Sequence, residues 1–144
     1  MSLFLKRQHD ECYRRLTAVR TAGDWEGWID FFLDGVATIA DQAVAAAREL
    51  FALVAEDRAR VLEHPGMSLV ALRLFEVLPR HPVVSVASAI ELVRSTKPTV
   101  GKAIGLLVQA GVLRETTGKK RDRSFVYHEY LERLRVGTEP VRAR

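Results

Sequence analysis

The sequence has very little cysteine and no long hydrophobic run, and each absence excludes a class of protein. Cys12 is the single cysteine among 144 residues, so no internal disulfide can form and no cysteine pair indicates a zinc site. No apolar run approaches the roughly 20 residues that span a membrane, and the first residues carry too short an apolar stretch for a signal peptide. We therefore expect a soluble, cytoplasmic protein with no membrane partner.

Candidate catalytic and metal-ligating residues are also scarce. The four histidines stand far apart in the sequence, and no pair has the spacing of metal ligands. Cys12 is interpreted as a packed or surface residue rather than a nucleophile. Trp25 and Trp28 flank a predicted helix start and are interpreted as core or interface residues. We expect no enzymatic activity, no metal and no cofactor.

Charge is distributed unevenly along the chain. Residues 1–63 carry 8 Lys and Arg against 11 Asp and Glu, a net charge of −3. Residues 64–144 carry 14 Lys and Arg against 7 Asp and Glu, a net charge of +7. A basic half beside an acidic half indicates that one segment meets a polyanion while the other has a different task. The alternative is a solvated basic surface.

The acidic half predicts two helices. Residues 3–20 contain neither Gly nor Pro and repeat apolar residues at spacings near three, four and seven, which predicts the first helix. Gly23 can end it and Asp24 can cap the next. A second, long helix is expected over 25–63, ended by the hinge His64-Pro65-Gly66. Whether this helix is broken near Gly35 or Asp57 stays open.

The long helix carries an unusually wide apolar face. Two adjacent stripes at spacings of three and four make it wider than a coiled-coil seam. They comprise Trp28, Phe32, Val36, Ile39, Ala43, Ala47, Leu50 and Val54, and Ile29, Leu33, Val36, Ala40, Val44, Ala47 and Phe51. A lone helix cannot hide such a face, so it must pack on the first helix, on another domain or on a second copy.

The basic half predicts a different architecture. Helices are expected over 68–78, 86–94 and 97–110, with Val83-Val84 extended between the first two and Gly111 ending the last. Strands are expected over 112–115 and 124–128, joined by the basic turn 116–123, and a last helix over 129–136. The fold class is therefore mainly α, with long N-terminal helices before a winged helix-turn-helix carrying a two-stranded wing. The expected divisions are 1–66, 67–136 and a tail, 137–144.

Core residues are predicted from the same spacing. In the basic half, the residues expected to face inward are Leu69, Leu72, Phe75, Val77 or Leu78, Ile90, Val93, Val100, Ala103, Ile104, Leu107 and Val108. Gly101, Gly105 and Leu106 are expected on the outer face of the helix over 97–110.

This order of elements favours binding to double-stranded DNA. The second helix of such a motif enters the major groove with its N-terminal end, and a basic wing neutralises phosphates. The candidate DNA-binding residues are Ser95, Thr96, Lys97, Thr99, Lys102, Lys119, Lys120, Arg121 and Arg123. The outer face of the helix over 97–110 offers few polar side chains that could read bases, because it carries Gly101, Gly105 and Leu106. The alternative is a winged helix that only packs against protein.

Several stretches resemble the Fic family (filamentation induced by cAMP). Residues 23–33, GDWEGWIDFFL, are similar to the "GDWEGWLEFFL" stretch of that family. Residues 4–16 resemble the helix that follows its catalytic loop. Residues 74–78 with 81–84, 95–100 and 111–115 resemble its C-terminal winged helix. The resemblance covers about residues 4–140 and is most specific around the two tryptophans.

The resemblance implies transfer of AMP from ATP to a hydroxyl side chain, but the residues for that reaction are absent. The family's motif HxFx(D/E)GNGRxxR has no counterpart here, since His81-Pro82 is followed by Val83-Val84. The inhibitory motif (S/T)xxxE(G/N) is absent too, because Ala22 stands four residues before Glu26. The chain is therefore interpreted as the C-terminal region of such a protein, either excised or a stand-alone remnant.

Three functions remain open on the sequence. The first is a regulatory DNA-binding module, acting as a homodimer or with a packing partner through the apolar face of residues 25–63. The second is a protein–protein interaction or dimerisation module that uses the winged helix for packing. The third is an inactive fragment of an AMP-transferring enzyme, in which the apolar face would cover the missing catalytic domain.

Overall fold

The computed structural model describes residues 2–118 and 123–135. By packing, the chain divides into two compact units, with the division at residues 48 and 49. The expected domain boundary at residue 66 stays a prediction. The last turns of the long helix nevertheless belong with the second unit, because Leu53, Asp57 and Val61 are buried in it.

The first unit begins with two helices where the sequence predicts one. Helix α1 covers Ser2–Arg7 and α2 covers His9–Ala22, and Gln8 between them has φ −105° and ψ 34°. The expectation of one helix over 3–20 is therefore wrong at one residue. Apolar periodicity cannot detect this break, because Gln8 and Cys12 still donate backbone hydrogen bonds four residues back. Gly23 ends α2 in the left-handed region at φ 71°, as predicted.

Helix α3 covers Trp25–Glu63 without interruption, so neither Gly35 nor Asp57 breaks it. Asp24 caps it as predicted, since its Oδ1 accepts a hydrogen bond of 3.0 Å from the Gly27 amide. In the first unit, the Phe4 ring packs 5.6 Å from the Phe31 ring. Gly35 leaves room for this packing, because a Cβ there would lie 2.5 Å from Phe4 Cε1.

Three short helices begin the second unit. Helix α4 covers Leu69–Val77, α5 covers Val86–Val93 and α6 covers Lys97–Gln109. Ser68 caps α4 by accepting from the Ala71 amide, and Ser85 forms a reciprocal capping box with Ser88. With Ser68 as its cap, α4 begins one residue later than the sequence predicts, whereas α5 begins at Val86 as predicted.

The sheet is larger than the wing that the sequence predicts. Strands β1 (Val83–Ser85), β2 (Arg114–Glu115) and β3 (Ser124–Val126) form an antiparallel sheet in the order β1-β3-β2 among the described residues. The expected two-stranded wing thus gains a third strand, because Val84 pairs with Phe125 on the free edge of β3. Helix α7 follows at His128–Arg135.

The core lies between α4, α5, α6 and the sheet, and the predicted burial is wrong at three residues. Leu69 is 62% exposed, because it is the first residue of α4 and the buried stripe runs instead through Ala71, Leu74, Phe75 and Leu78. Leu106 is buried although its helical phase favoured the outer face, and Val108 is exposed instead. The inward face of α6 is therefore rotated by part of a turn from the prediction.

A buried polar pair joins the end of α3 to the sheet. The Tyr127 hydroxyl donates a hydrogen bond of 2.7 Å to Asp57 Oδ2, and the two residues are 0% and 2% exposed. Asp57 Oδ1 lies 2.9 Å from Arg60 Nη1 in an ion pair that is not aligned as a hydrogen bond. This pair links two segments that are 70 residues apart in sequence.

Candidate nucleic-acid interface

Helix α6 presents one buried and one exposed face, as a recognition helix requires. Val100, Ala103, Ile104 and Leu107 are buried, as predicted. Of the candidate DNA-binding residues at its N-terminal end, Thr96, Lys97, Thr99 and Lys102 are exposed and Ser95 is half-buried. The structure therefore brings all five candidates of this segment to one end of α6 and the turn before it.

The N-terminus of α6 lacks a side-chain cap. Thr96 occupies the capping position but makes no side-chain capping hydrogen bond, and its Oγ1 lies 2.9 Å from Thr99 Oγ1 instead. Pro98 in the first turn has no amide hydrogen to satisfy. The amides of Lys97 and Thr99 therefore remain free to meet an anion, and the helix dipole favours negative charge there.

The outer face of α6 carries two glycines and few large side chains. Gly101 and Gly105 are exposed, and a Cβ on either would meet no described atom within 4 Å. Lys102 and Gln109 share this face at helical spacing. Glycine in a helix costs about 1 kcal/mol relative to alanine, so the two glycines lower stability without any packing need in the chain itself. A smooth face of this kind lets another backbone approach closely.

The wing is described only in part. Lys119, Lys120 and Arg121 lie outside the described residues. Arg123 is partly exposed and forms an ion pair with Glu115, while its guanidinium lies 5.2 Å from the centre of the Phe125 ring. The hydrogen bond from Arg123 lowers the pKa of the Glu115 carboxyl, and the same bond raises the pKa of Arg123. Arg123 is thus held against the sheet by an acidic neighbour.

Two further cations belong to the same region and are absent from the predicted set. Arg94 is the C-cap of α5 and has φ 50°, which is uncommon for a residue other than glycine. Its side chain is exposed in the turn before α6. Arg114 is exposed on β2. Their charge was visible in the sequence, but nothing local distinguished them from solvated surface residues.

The described residues contain neither a metal-binding cluster nor a membrane-spanning helix. Within residues 2–118 and 123–135, no group of three His, Cys, Asp or Glu side chains could hold a metal ion. Cys12 is buried in the first unit. In the same part of the chain, no helix is both long and apolar enough to cross a membrane.

The order α4-β1-α5-α6-β2-β3 is that of a winged helix-turn-helix, which confirms the predicted fold class. No family model matches the chain, and no curated protein matches it. The chain is similar in structure to RV1404 from Mycobacterium tuberculosis, with a TM-score of 0.40 and 20% identity over 72% of this chain and 76% of that one.

A MarR family transcriptional regulator from Silicibacter pomeroyi DSS gives a TM-score of 0.39 and 19% identity, covering 77% of this chain and 69% of that one. Similarities at this level do not place the chain in the family of either protein. The resemblance to the Fic family has no counterpart in these comparisons.

Proposed function

We propose that this chain is a regulatory module that binds double-stranded DNA through α6 and the wing. The observation that carries the proposal is the outer face of α6, where Lys97, Thr99 and Lys102 surround a glycine surface backed by a fully buried core. Such a helix can enter a major groove closely, while its free first-turn amides and lysines meet phosphates.

The chemistry of the face favours phosphate contacts over reading of bases. Hydrogen bonds to base edges need long polar side chains such as Arg, Asn or Gln, and the exposed stripe of α6 offers Gln109 only at its far end. Lysines and wing cations give affinity without sequence information. We therefore propose a protein of modest sequence preference whose binding depends strongly on salt.

Duplex binding is tested by fluorescence anisotropy with a labelled random duplex between about 50 and 200 mM salt. The test variant carries Lys97→Ala and Lys102→Ala. The control carries Lys6→Ala and Arg20→Ala, which remove the same charge from the first unit. Each phosphate contact contributes about 0.9 to the slope of log affinity against log salt, so the test variant should lose nearly 2 and the control nothing.

The wing is tested separately, by Lys119→Ala, Lys120→Ala, Arg121→Ala and Arg123→Ala in one variant. If the duplex affinity falls in this variant as well as in the α6 variant, the wing contributes to binding in addition to α6. Absence of binding by the unaltered chain at the lowest salt would refute the proposed function. Equal losses in the α6 variant and its charge-matched control would show nonspecific attraction instead.

A protein–protein role is the second candidate, and it is favoured by an exposed apolar stripe on α3, formed by Ile29, Leu33, Val36, Ala40, Val44, Ala47 and Phe51. The narrower Fic-like interpretation rests on the sequence of residues 23–33 and 4–16. If this chain belongs to an AMP-transferring protein, it would be inactive by itself, and the stripe would cover that protein's catalytic domain. The cytoplasmic location stays a prediction that suits a DNA-binding regulator.

A further inference from the structure

Helix α3 carries an uncovered apolar stripe on a single face. At 100° per residue its members fall within about 40° of the direction of Ala40. All seven members are exposed, and the five larger side chains are between 42% and 77% exposed. The members of the stripe are Ile29, Leu33, Val36, Ala40, Val44, Ala47 and Phe51. The packing of the first unit lies on the opposite face, where Phe4 meets Phe31 and Gly35.

The stripe is symmetric about Ala40. Counting outward from this residue, Val36 corresponds to Val44, Leu33 to Ala47 and Ile29 to Phe51. Two copies of α3 that run antiparallel, related by a two-fold axis at Ala40, therefore bring each apolar residue opposite another. Alanine lies at the crossing point, so the two helices can approach closely there. The large Leu33 meets the small Ala47, while Val36 meets Val44 and Ile29 meets Phe51.

The charges beside the stripe agree with the antiparallel direction. Asp30, Asp34 and Arg48 lie on one flank of α3, and a two-fold axis brings this flank against the same flank of the partner. Arg48 then lies opposite position 32, between Asp30 and Asp34 of the partner subunit. A parallel pair would instead place this flank beside the opposite flank of the partner, where Phe32, Ile39 and Ala43 carry no charge. Asp41 lies near its own copy in the antiparallel pair, which is the one unfavourable contact on this flank.

The area is sufficient for a dimer. From the fractional exposures of its seven residues, the stripe exposes roughly 600 Å² per copy, so complete pairing would cover about 1,200 Å², at the lower end of stable interfaces. We propose that the chain forms a homodimer through antiparallel pairing of α3 about Ala40. The spacing of the stripe, four-three-four twice over, is an eleven-residue repeat, which favours a slight right-handed supercoil of the two helices.

The dimer is tested on the full chain by sedimentation equilibrium at micromolar to submillimolar concentrations. We expect a mass of twice the 16.2 kDa protomer. Val36→Glu should yield a monomer, because it buries two carboxylates near the axis. Ala45→Glu is the matched control, since Ala45 is exposed on α3 away from the stripe, and it should remain dimeric. Circular dichroism checks that both variants keep their helix content. A monomeric unaltered chain, or a Val36→Glu variant that is folded and still dimeric, would overturn the proposal.

The direction is tested by disulfide crosslinking in a Cys12→Ala background. Leu33→Cys and Ala47→Cys chains, mixed in equal amounts, should give mainly the mixed 33–47 disulfide in the antiparallel pair. Crosslinks of 33 to 33 and 47 to 47 would overturn the proposed direction. These readouts are independent of duplex binding, so a failure here and a failure of the proposed function are distinguishable.

Discussion

The buried bond between Tyr127 and Asp57 predicts a specific loss of stability. Tyr127→Phe removes the hydroxyl that donates 2.7 Å to Asp57 Oδ2 and keeps the ring in the core. A hydrogen bond to a charged group contributes about 1.5–3 kcal/mol, and here the carboxylate would keep only its unaligned ion pair with Arg60. We expect Tyr127→Phe to lower the free energy of unfolding by about 2–3 kcal/mol.

Urea denaturation followed by circular dichroism measures this loss. Tyr13→Phe is the matched control, because Tyr13 is an exposed residue of α2 and should change stability by less than about 0.5 kcal/mol. A double-mutant cycle with Asp57→Asn isolates the interaction. Because the two residues share one hydrogen bond, the cycle should give a coupling energy above about 1 kcal/mol. Additive effects, or a Tyr127→Phe loss no larger than that of Tyr13→Phe, would refute the reasoning.

Three further predictions concern Tyr127, Gly105 and Glu115. Burial, more than the hydrogen bond to Asp57, raises the pKa of Tyr127 in the folded state. The protonated hydroxyl therefore contributes fully to stability below the unfolded pKa of about 10, and this contribution is lost as the pH rises above it. The free energy of unfolding in urea should fall above about pH 10, and it should fall less steeply in Tyr127→Phe. Gly105→Ala should raise unfolding stability by up to about 1 kcal/mol, measured by urea denaturation, yet weaken duplex binding, and an unchanged affinity would contradict close approach by α6. Glu115→Gln frees Arg123 and removes a negative charge, so anisotropy should show tighter duplex binding, and weaker binding would contradict a phosphate role for Arg123.

Local signals determined most of the helices. A cap binds amides within its own first turn, so Asp24 and Ser85 could be recognised from the residues that follow them. Gly23 and Gly111 end α2 and α6 at positive φ, which is likewise a property of one residue. The apolar repeat along α3 identified both the long helix and the stripe that the first unit leaves uncovered.

Part of the candidate interface could also be found this way. The turn before α6 and the lysines at its start follow from helix boundaries, so Lys97 and Lys102 were identified from sequence and are exposed. The pairing of Arg123 with Glu115 could not be foreseen, because it depends on the register between β2 and β3. The position of Arg94 depends on a left-handed backbone that arginine rarely adopts.

The sequence by itself thus determined where most helices begin and end, most of the residues of α6 that face inward, and that α3 carries a wide apolar face. Tertiary structure alone decided the remaining features, because each depends on which segments meet. The segment around Val84 forms a third strand because one edge of β3 is free to pair with it. Leu69 is exposed because α4 packs through Leu74 and Phe75. The bond between Asp57 and Tyr127 joins residues 70 positions apart, beyond the reach of any local periodicity.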